Sequence, residues 1–203
     1  MKIKHLGRVP YLETYEAMKA FSEQRQDSTE DELWVCEHPP TYTQGIAGKA
    51  EHLLAQTDIP VVQTNRGGQV TYHGPGQVVI YLLIDLSRRG IKVRELVNKI
   101  EQAVIDCLAA YGITADRREG APGVYVGEAK VAALGLRIRN GCSYHGVSLN
   151  VDMDMTPFSA INPCGYAGMA VTQLHDLGVN VSVSDAGEDL LRHLQNQLES
   201  SDG

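Results

Sequence analysis

The chain lacks a basic surplus. Its 18 Lys and Arg side chains are outnumbered by 25 Asp and Glu, for a formal charge of −7. That excludes nucleic acid as the main partner, because phosphate binding needs a basic footprint. No apolar run reaches the ~18 residues of a membrane span. The start, MKIKHLGRVPYLE, has no apolar segment of signal-peptide length, so a cytoplasmic protein without a membrane partner is expected. The four cysteines, Cys36, Cys107, Cys142 and Cys164, include no Cys-x-x-Cys pair, and no His-x-x-x-His occurs. Free thiols in a reducing cytosol and no metal are the expectation. There is no Gly-x-x-x-x-Gly-Lys-Ser/Thr phosphate loop, no internal repeat and no long linker. With 203 residues, 43% apolar and 21% charged, one globular domain over 1–203 is expected.

What is present alternates between helix and strand patterns. Pro10 opens a helix, with Tyr11, Tyr15, Met18 and Phe21 at helical spacing. Short strands are expected at Leu33–Cys36 and Val61–Val62. Val70–His73 and Val78–Ile84 read as two strands joined by Gly74-Pro75-Gly76, the second continuously apolar and so buried on both faces. Arg94–Tyr111 carries an amphipathic stripe that stops at Gly112. Val124–Val126 and Lys130–Arg139 follow as strands, the latter with Ala132, Leu134, Leu136 and Ile138 on one face and Arg137 and Arg139 on the other. Asn140-Gly141 is a two-residue hairpin signal, with His145, Val147, Leu149 and Val151 alternating on the return. Asp185 and Glu188 suggest a capping box before a helix lined by Leu190, Leu191, Leu194 and Leu198. Hairpins outnumber βαβ units, which points to an α+β fold, a mostly antiparallel sheet with packed helices.

Three constellations invite chemistry. The first runs Arg66-Gly67-Gly68-Gln69-Val70-Thr71-Tyr72-His73-Gly74-Pro75-Gly76-Gln77. Its glycines permit close approach of a ligand or of another backbone, and a hairpin with glycine turns explains them as well. Arg66 is an anion contact or a solvated turn residue. The second is Ile161-Asn162-Pro163-Cys164-Gly165-Tyr166-Ala167-Gly168. Cys164 lies off any apolar stripe, whereas Cys107 and Cys36 read as core and Cys142 as incidental. Cys164 is a nucleophile or a small residue in a tight loop. The third is Lys130, at the head of an apolar strand. It is a solvated strand end, or the partner that a thiol of ordinary pKa needs to become a thiolate. His73 and His145 are the other candidate bases, and each is equally a satisfied structural residue.

Taken together, RGGQVTYHGPGQ (Arg66–Gln77), GVYVGEAKVAALGLRIR (Gly123–Arg139), HGVSLNVD and INPCGYAG resemble, in order and spacing, the octanoyltransferases of lipoate biosynthesis, from about residue 30 to about residue 170. One departure is Leu82 after Tyr81, where many members carry proline. The resemblance implies the α+β fold of biotin and lipoate protein ligases. It implies a thioester intermediate on Cys164, with Lys130 as the activating base. The acyl site falls on Arg66–His73, on Ala133-Leu134-Gly135 and on Gly146-Val147-Ser148. The donor implied is octanoyl on the phosphopantetheine of acyl carrier protein, with no ATP and no other cofactor. The acceptors implied are lipoyl domains of 2-oxoacid dehydrogenase subunits and the glycine-cleavage H protein. Val70, Leu134 and Val147 are expected to line the chain. A basic docking patch is expected from Arg117, Arg118, Arg137 and Arg139, on a monomer.

Overall fold

Val78–Ile84 is apolar on both faces, and only a strand covered on both sides can hide such a run. In the computed structural model, which describes residues 1–162 and 168–200, the strand Gln77–Leu83 that carries it is fully buried. The strands are β1 (Lys2–Arg8), β2 (Glu32–Glu37), β3 (Thr41–Gln44), β4 (Val61–Gln63), β5 (Val70–His73), β6 (Gln77–Leu83), β7 (Val124–Val126), β8 (Ala129–Arg139) and β9 (Cys142–Asn150). They form a six-stranded sheet, β1-β2-β6-β9-β8-β7, and a three-stranded sheet, β4-β3-β5. Pairing is antiparallel except for β1 with β2 and β3 with β4.

The helices are α1 (Tyr11–Gln24), the single turn α2 (Leu86–Arg89), α3 (Val93–Ala110) and α4 (Val183–Glu199). Leu96, Ile100, Val104, Cys107 and Leu108 of α3 and the four leucines of α4 bury against Val78, Ile80, Leu82, Val147 and Leu149 on one face of the large sheet. Tyr11, Tyr15 and Met18 of α1 cover Trp34, Val79, Tyr81 and Tyr144 on the other. Period-2 alternation along β6 and β9 therefore feeds two separate cores.

Several local expectations meet a different geometry. β5 and β6 are not a hairpin. β5 pairs with β3 in the small sheet, while β6 pairs with β2 and β9, so Gly74-Pro75-Gly76 carries the chain from one sheet to the other. Gly76 sits at φ +91°, and a Cβ there would lie 1.9 Å from the Asp152 carbonyl oxygen. Its own carbonyl accepts from the N–H groups of Val151 and Asp152 at 3.1 and 3.0 Å. The cap of α4 is Ser182, whose hydroxyl accepts from Asp185 N–H at 3.0 Å, one turn before the expected box. β1 and β3 carry no strong strand pattern in the sequence. The hairpin turn between β8 and β9 is as expected, with Asn140 and Gly141 both at positive φ.

β8 holds the departure that matters most. Val124 faces Ala132, and Tyr125 faces Lys130, so Val131 is an extra residue, a β-bulge. Val131 and Ala132 both enter the helix-side core. Strict alternation would put Lys130 on that face with Ala132. The bulge turns it to the other, where it shares a cavity wall with Ala133, Ser148 and Asn150.

Candidate active site

The two sheets meet across a cavity. From the small sheet come Val70, Thr71 and His73, with Gly68 and Gln69 of the preceding loop; from the large sheet come Ala133, Leu134, Gly135, Gly146 and Ser148. Arg66, Tyr11, Tyr81 and His145 complete the wall. Three segments distant in sequence are thus brought together. Gly67, Tyr72 and Val147 do not line the cavity. Tyr72 turns into a separate cluster with Tyr42 and Phe158, and Val147 into the helix-side core, because neighbours on a strand point to opposite faces. Gly67 instead donates its N–H to the Leu136 carbonyl at 2.9 Å, docking the loop onto β8. The glycines serve backbone approach: a Cβ at Gly135 would meet the Gly67 oxygen at 3.0 Å.

Arg66 is not a solvated turn residue. It is buried and donates to the carbonyls of Thr43, Gly67 and Gln69 at 2.7, 2.9 and 2.7 Å and to the Thr43 hydroxyl at 2.9 Å. Its guanidinium is the clamp that holds the glycine loop against β3.

The two histidines of the wall are held neutral. His73 Nδ1 lies 2.7 Å from Gln77 Oε1. The Gln77 amide nitrogen donates to the Tyr72 carbonyl and to Asn150 Oδ1, so its oxygen faces the ring and the proton sits on Nδ1. Burial, then the neighbouring His38, push the pKa of His73 down to about 3. His145 stands at φ +63°, stacked on Tyr15 and Tyr144, with Nε2 on Asn65 Oδ1 at 3.1 Å. Burial and the Arg66 charge lower its pKa to about 3 as well. Bases this weak leave a thiol protonated at neutral pH.

Lys130 is not a solvated strand end. It is 3% exposed. Its ammonium donates to the Pro122 carbonyl at 3.1 Å and lies 5.2 Å from the Tyr125 ring centre. The small cavity it lines is walled by Thr71, Ala133 and Ser148, which also wall the larger one, so the two are neighbours. Its backbone N–H donates to Ala170 and its carbonyl accepts from Thr172, both at 2.9 Å. Cys164 lies outside the described residues. The chain enters that segment at Asn162, whose N–H donates to His52 at 2.9 Å, and leaves it towards the Ala170–Thr172 stretch bound to Lys130.

The other thiols are buried and free. Burial raises the pKa of Cys36 and of Cys142, and takes that of Cys107 to about 12, so these three are poor nucleophiles. The expected four-arginine patch is not one surface. Arg118 pairs with Glu128 and binds the Gly127 carbonyl beside the start of β8, and Arg139 pairs with Glu23 at its far end. The eleven residues of β8 separate them by roughly 30 Å. Tyr11 and Tyr81 are cavity residues that sequence reading took for core or left unassigned. Among the described residues no helix is long and apolar enough to cross a membrane.

Comparison with known proteins decides the family. Residues 10–195 match the lipoyl protein ligase A/B catalytic domain. The chain is 66% identical over 201 residues to the octanoyltransferase of Dechloromonas aromatica, covering 99% of this chain and 98% of that one. The chain belongs to the octanoyltransferase family. The octanoyltransferase of Chromobacterium violaceum is 63% identical over 98% of this chain and 96% of its own length. The octanoyltransferases are acyltransferases, and so is this chain. A lipoate-protein ligase A bound with ATP shares the fold, with a TM-score of 0.79 at 18% identity over 98% of this chain and 86% of that one. Biotin protein ligase from Aquifex aeolicus shares it at a TM-score of 0.58 and 13% identity, over 98% and 69%.

Proposed function

We propose that this acyltransferase moves an octanoyl group from octanoyl-acyl carrier protein, through a thioester on Cys164, to a lysine of lipoyl domains in lipoate biosynthesis. The 2-oxoacid dehydrogenase subunits and the glycine-cleavage H protein supply those lysines. Lys130 takes the proton of Cys164. The thiolate attacks the octanoyl carbonyl, and the phosphopantetheine thiol leaves with the proton. The acceptor amine then attacks the Cys164 thioester. An amide C–N bond forms, the C–S bond breaks, and Lys130 takes the amine proton and returns it to sulfur. Thioester exchange is near thermoneutral and aminolysis is downhill, so the cycle calls for no ATP, and it runs in the cytoplasm.

The observation that carries this reading is Lys130 itself. It is a buried amine turned by the bulge into a small cavity that shares Thr71, Ala133 and Ser148 with the pocket between the sheets, with its backbone tied to the stretch that follows the Cys164 segment. A Cys–His hydrolase is disfavoured because both candidate histidines have pKa values near 3. The remaining rival, an ATP-dependent ligase, is suggested by the shared fold. Intact-protein mass spectrometry after mixing with octanoyl-acyl carrier protein, without ATP, separates the two. Wild type should gain one octanoyl mass that a lipoyl domain discharges, and Cys164→Ala should gain none. Transfer that needs ATP and free octanoate, and survives in Cys164→Ser, would refute the proposal.

A further inference from the structure

The loop between α3 and β7 brings one peptide group against the Lys130 ammonium. The carbonyl of Pro122 accepts from Lys130 Nζ at 3.1 Å. The N–H of the same peptide, on Gly123, donates to Glu101 Oε1 at 2.9 Å. Glu101 is 5% exposed on α3, an unexpected charge beside the apolar stripe of that helix. Its second oxygen meets Arg117 Nε at 3.2 Å. Arg117 is in turn anchored to α3 through the Asn98 carbonyl and Gln102 Oε1 at 3.0 and 2.7 Å. Gly123 is at φ +137°, and a Cβ there would crowd Lys130 Cε at 3.0 Å and the Ala132 oxygen at 2.8 Å. The loop is shaped around the lysine.

We propose that Glu101 is a positioning residue for Lys130, acting through the Pro122–Gly123 peptide, with Arg117 setting the strength of its charge. This rests on the reading of Lys130 as the proton-transfer group. A carboxylate on the N–H side of a peptide makes its carbonyl oxygen a better acceptor, since linked hydrogen bonds polarise one another. The ammonium that Lys130 becomes on taking the Cys164 proton is thereby favoured, and the alkaline limb of acylation reports its loss. Among the described residues, the groups around Lys130 include Tyr125 from β7 with Arg118 over the same ring, the Pro122–Gly123 peptide backed by Glu101 and Arg117 from the α3 side, and Gln77 and Asn150 from β6 and β9, with His73 behind Gln77. Glu101 is the carboxylate in this set.

The sign of the effect distinguishes charge coupling from mere support. Removing the Glu101 charge disfavours the ammonium; removing the Arg117 charge favours it. The test is the pH dependence of single-turnover acylation by octanoyl-acyl carrier protein, in wild type, Glu101→Gln, Arg117→Gln and Lys130→Ala. Glu101→Gln keeps an oxygen for the Gly123 N–H. Its alkaline limb should move down by about half to one pH unit, as expected for one charge across a peptide. The alkaline limb of Arg117→Gln should move up. Lys130→Ala should lose about 100-fold or more in acylation rate. Limbs that stay put, or that move together, while Lys130→Ala is crippled overturn the role of Glu101 and leave Lys130 its own. Wild-type acylation by Lys130→Ala overturns both. Should Glu101→Gln fail to fold, the half-exposed Arg117→Gln decides alone: an upward shift supports the coupling and no shift refutes it.

Discussion

Replacing Arg66 with alanine should cost the protein far more than a surface charge would. The guanidinium is 8% exposed and satisfies the carbonyls of Thr43, Gly67 and Gln69, which belong to β3 and to the glycine loop. Hydrogen bonds to a charged donor contribute about 1.5–3 kcal/mol each, and an orphaned buried acceptor costs about 1–3 kcal/mol. Water entering the space left by the side chain recovers part of this, and the three bonds come from one guanidinium, so they do not add. A net loss of about 3–5 kcal/mol remains. For a chain of this size each kcal/mol lowers the melting temperature by roughly 2–4 °C, so a fall on the order of 10 °C is expected. Arg66→Lys keeps the charge but cannot span three carbonyls with one compact ammonium, and should fall between the two. Thermal unfolding by circular dichroism reads both. Octanoyl transfer should collapse at temperatures where the fold persists, because the freed loop no longer shapes the cavity. An Arg66→Ala melting temperature within about 2 °C of wild type would show that the clamp is not holding the loop, and the assignment of Arg66 as structural would fall.

Two further outcomes follow from the same site. His73 and His145 have folded pKa values near 3 against an ordinary 6.5, so below pH 6.5 the unfolded chain binds protons that the native one refuses. Stability is complete above about 6.5 and drains as pH falls towards 3, at up to ~1.4 kcal/mol per pH unit for each histidine. Urea unfolding of wild type and His73→Asn at pH 7.5, 6 and 5 should show a shallower slope in the variant, and equal slopes would contradict a neutral His73. Gly135→Ala places a methyl 3.0 Å from the Gly67 oxygen at the wall of the cavity, so transfer should shift from octanoyl towards shorter acyl donors. An unchanged preference across four-, six- and eight-carbon thioesters would remove Gly135 from the acyl pocket.

Much of this was legible in the sequence, where burial follows period and composition. The continuous apolar run of β6, the stripe of α3 and the leucines of α4 end up in the core because nothing else could cover them. The segments around Arg66, Gly135 and Gly146 converge on one cavity. What was not legible depends on partners far along the chain. β3 reads Thr-Tyr-Thr-Gln and shows no apolar alternation, yet all four residues are buried. Arg66 fills that space with a guanidinium and Tyr42 with a ring that reaches the Pro157 carbonyl. Tyr72 and Val147 sit inside motif segments but face away from the cavity. A motif marks a stretch of chain, whereas a pocket is lined only by the residues on one face of it.

The bulge at Val131 shows why the sequence pattern alone could not place Lys130. On a regular strand Lys130 would stand with Ala132 and Leu134, an unpaired ammonium driven into the apolar helix-side core at a cost of several kcal/mol. One extra residue removes that cost by sending Val131 and Ala132 together into the core and turning Lys130 to the cavity. There it remains buried, with the Pro122 carbonyl within hydrogen-bond distance and Gln77, Ser148 and Asn150 on the same cavity wall as Phe158 and Val171. Beyond the bulge β8 still pairs with β7 through Tyr125 and Val126, and the backbone N–H and carbonyl of Lys130 bond to Ala170 and Thr172. Placing the amine and anchoring the stretch beyond Cys164 are thus one structural event. A change that straightens β8 should therefore disturb the placement of Lys130 and its backbone bonds to Ala170 and Thr172 together.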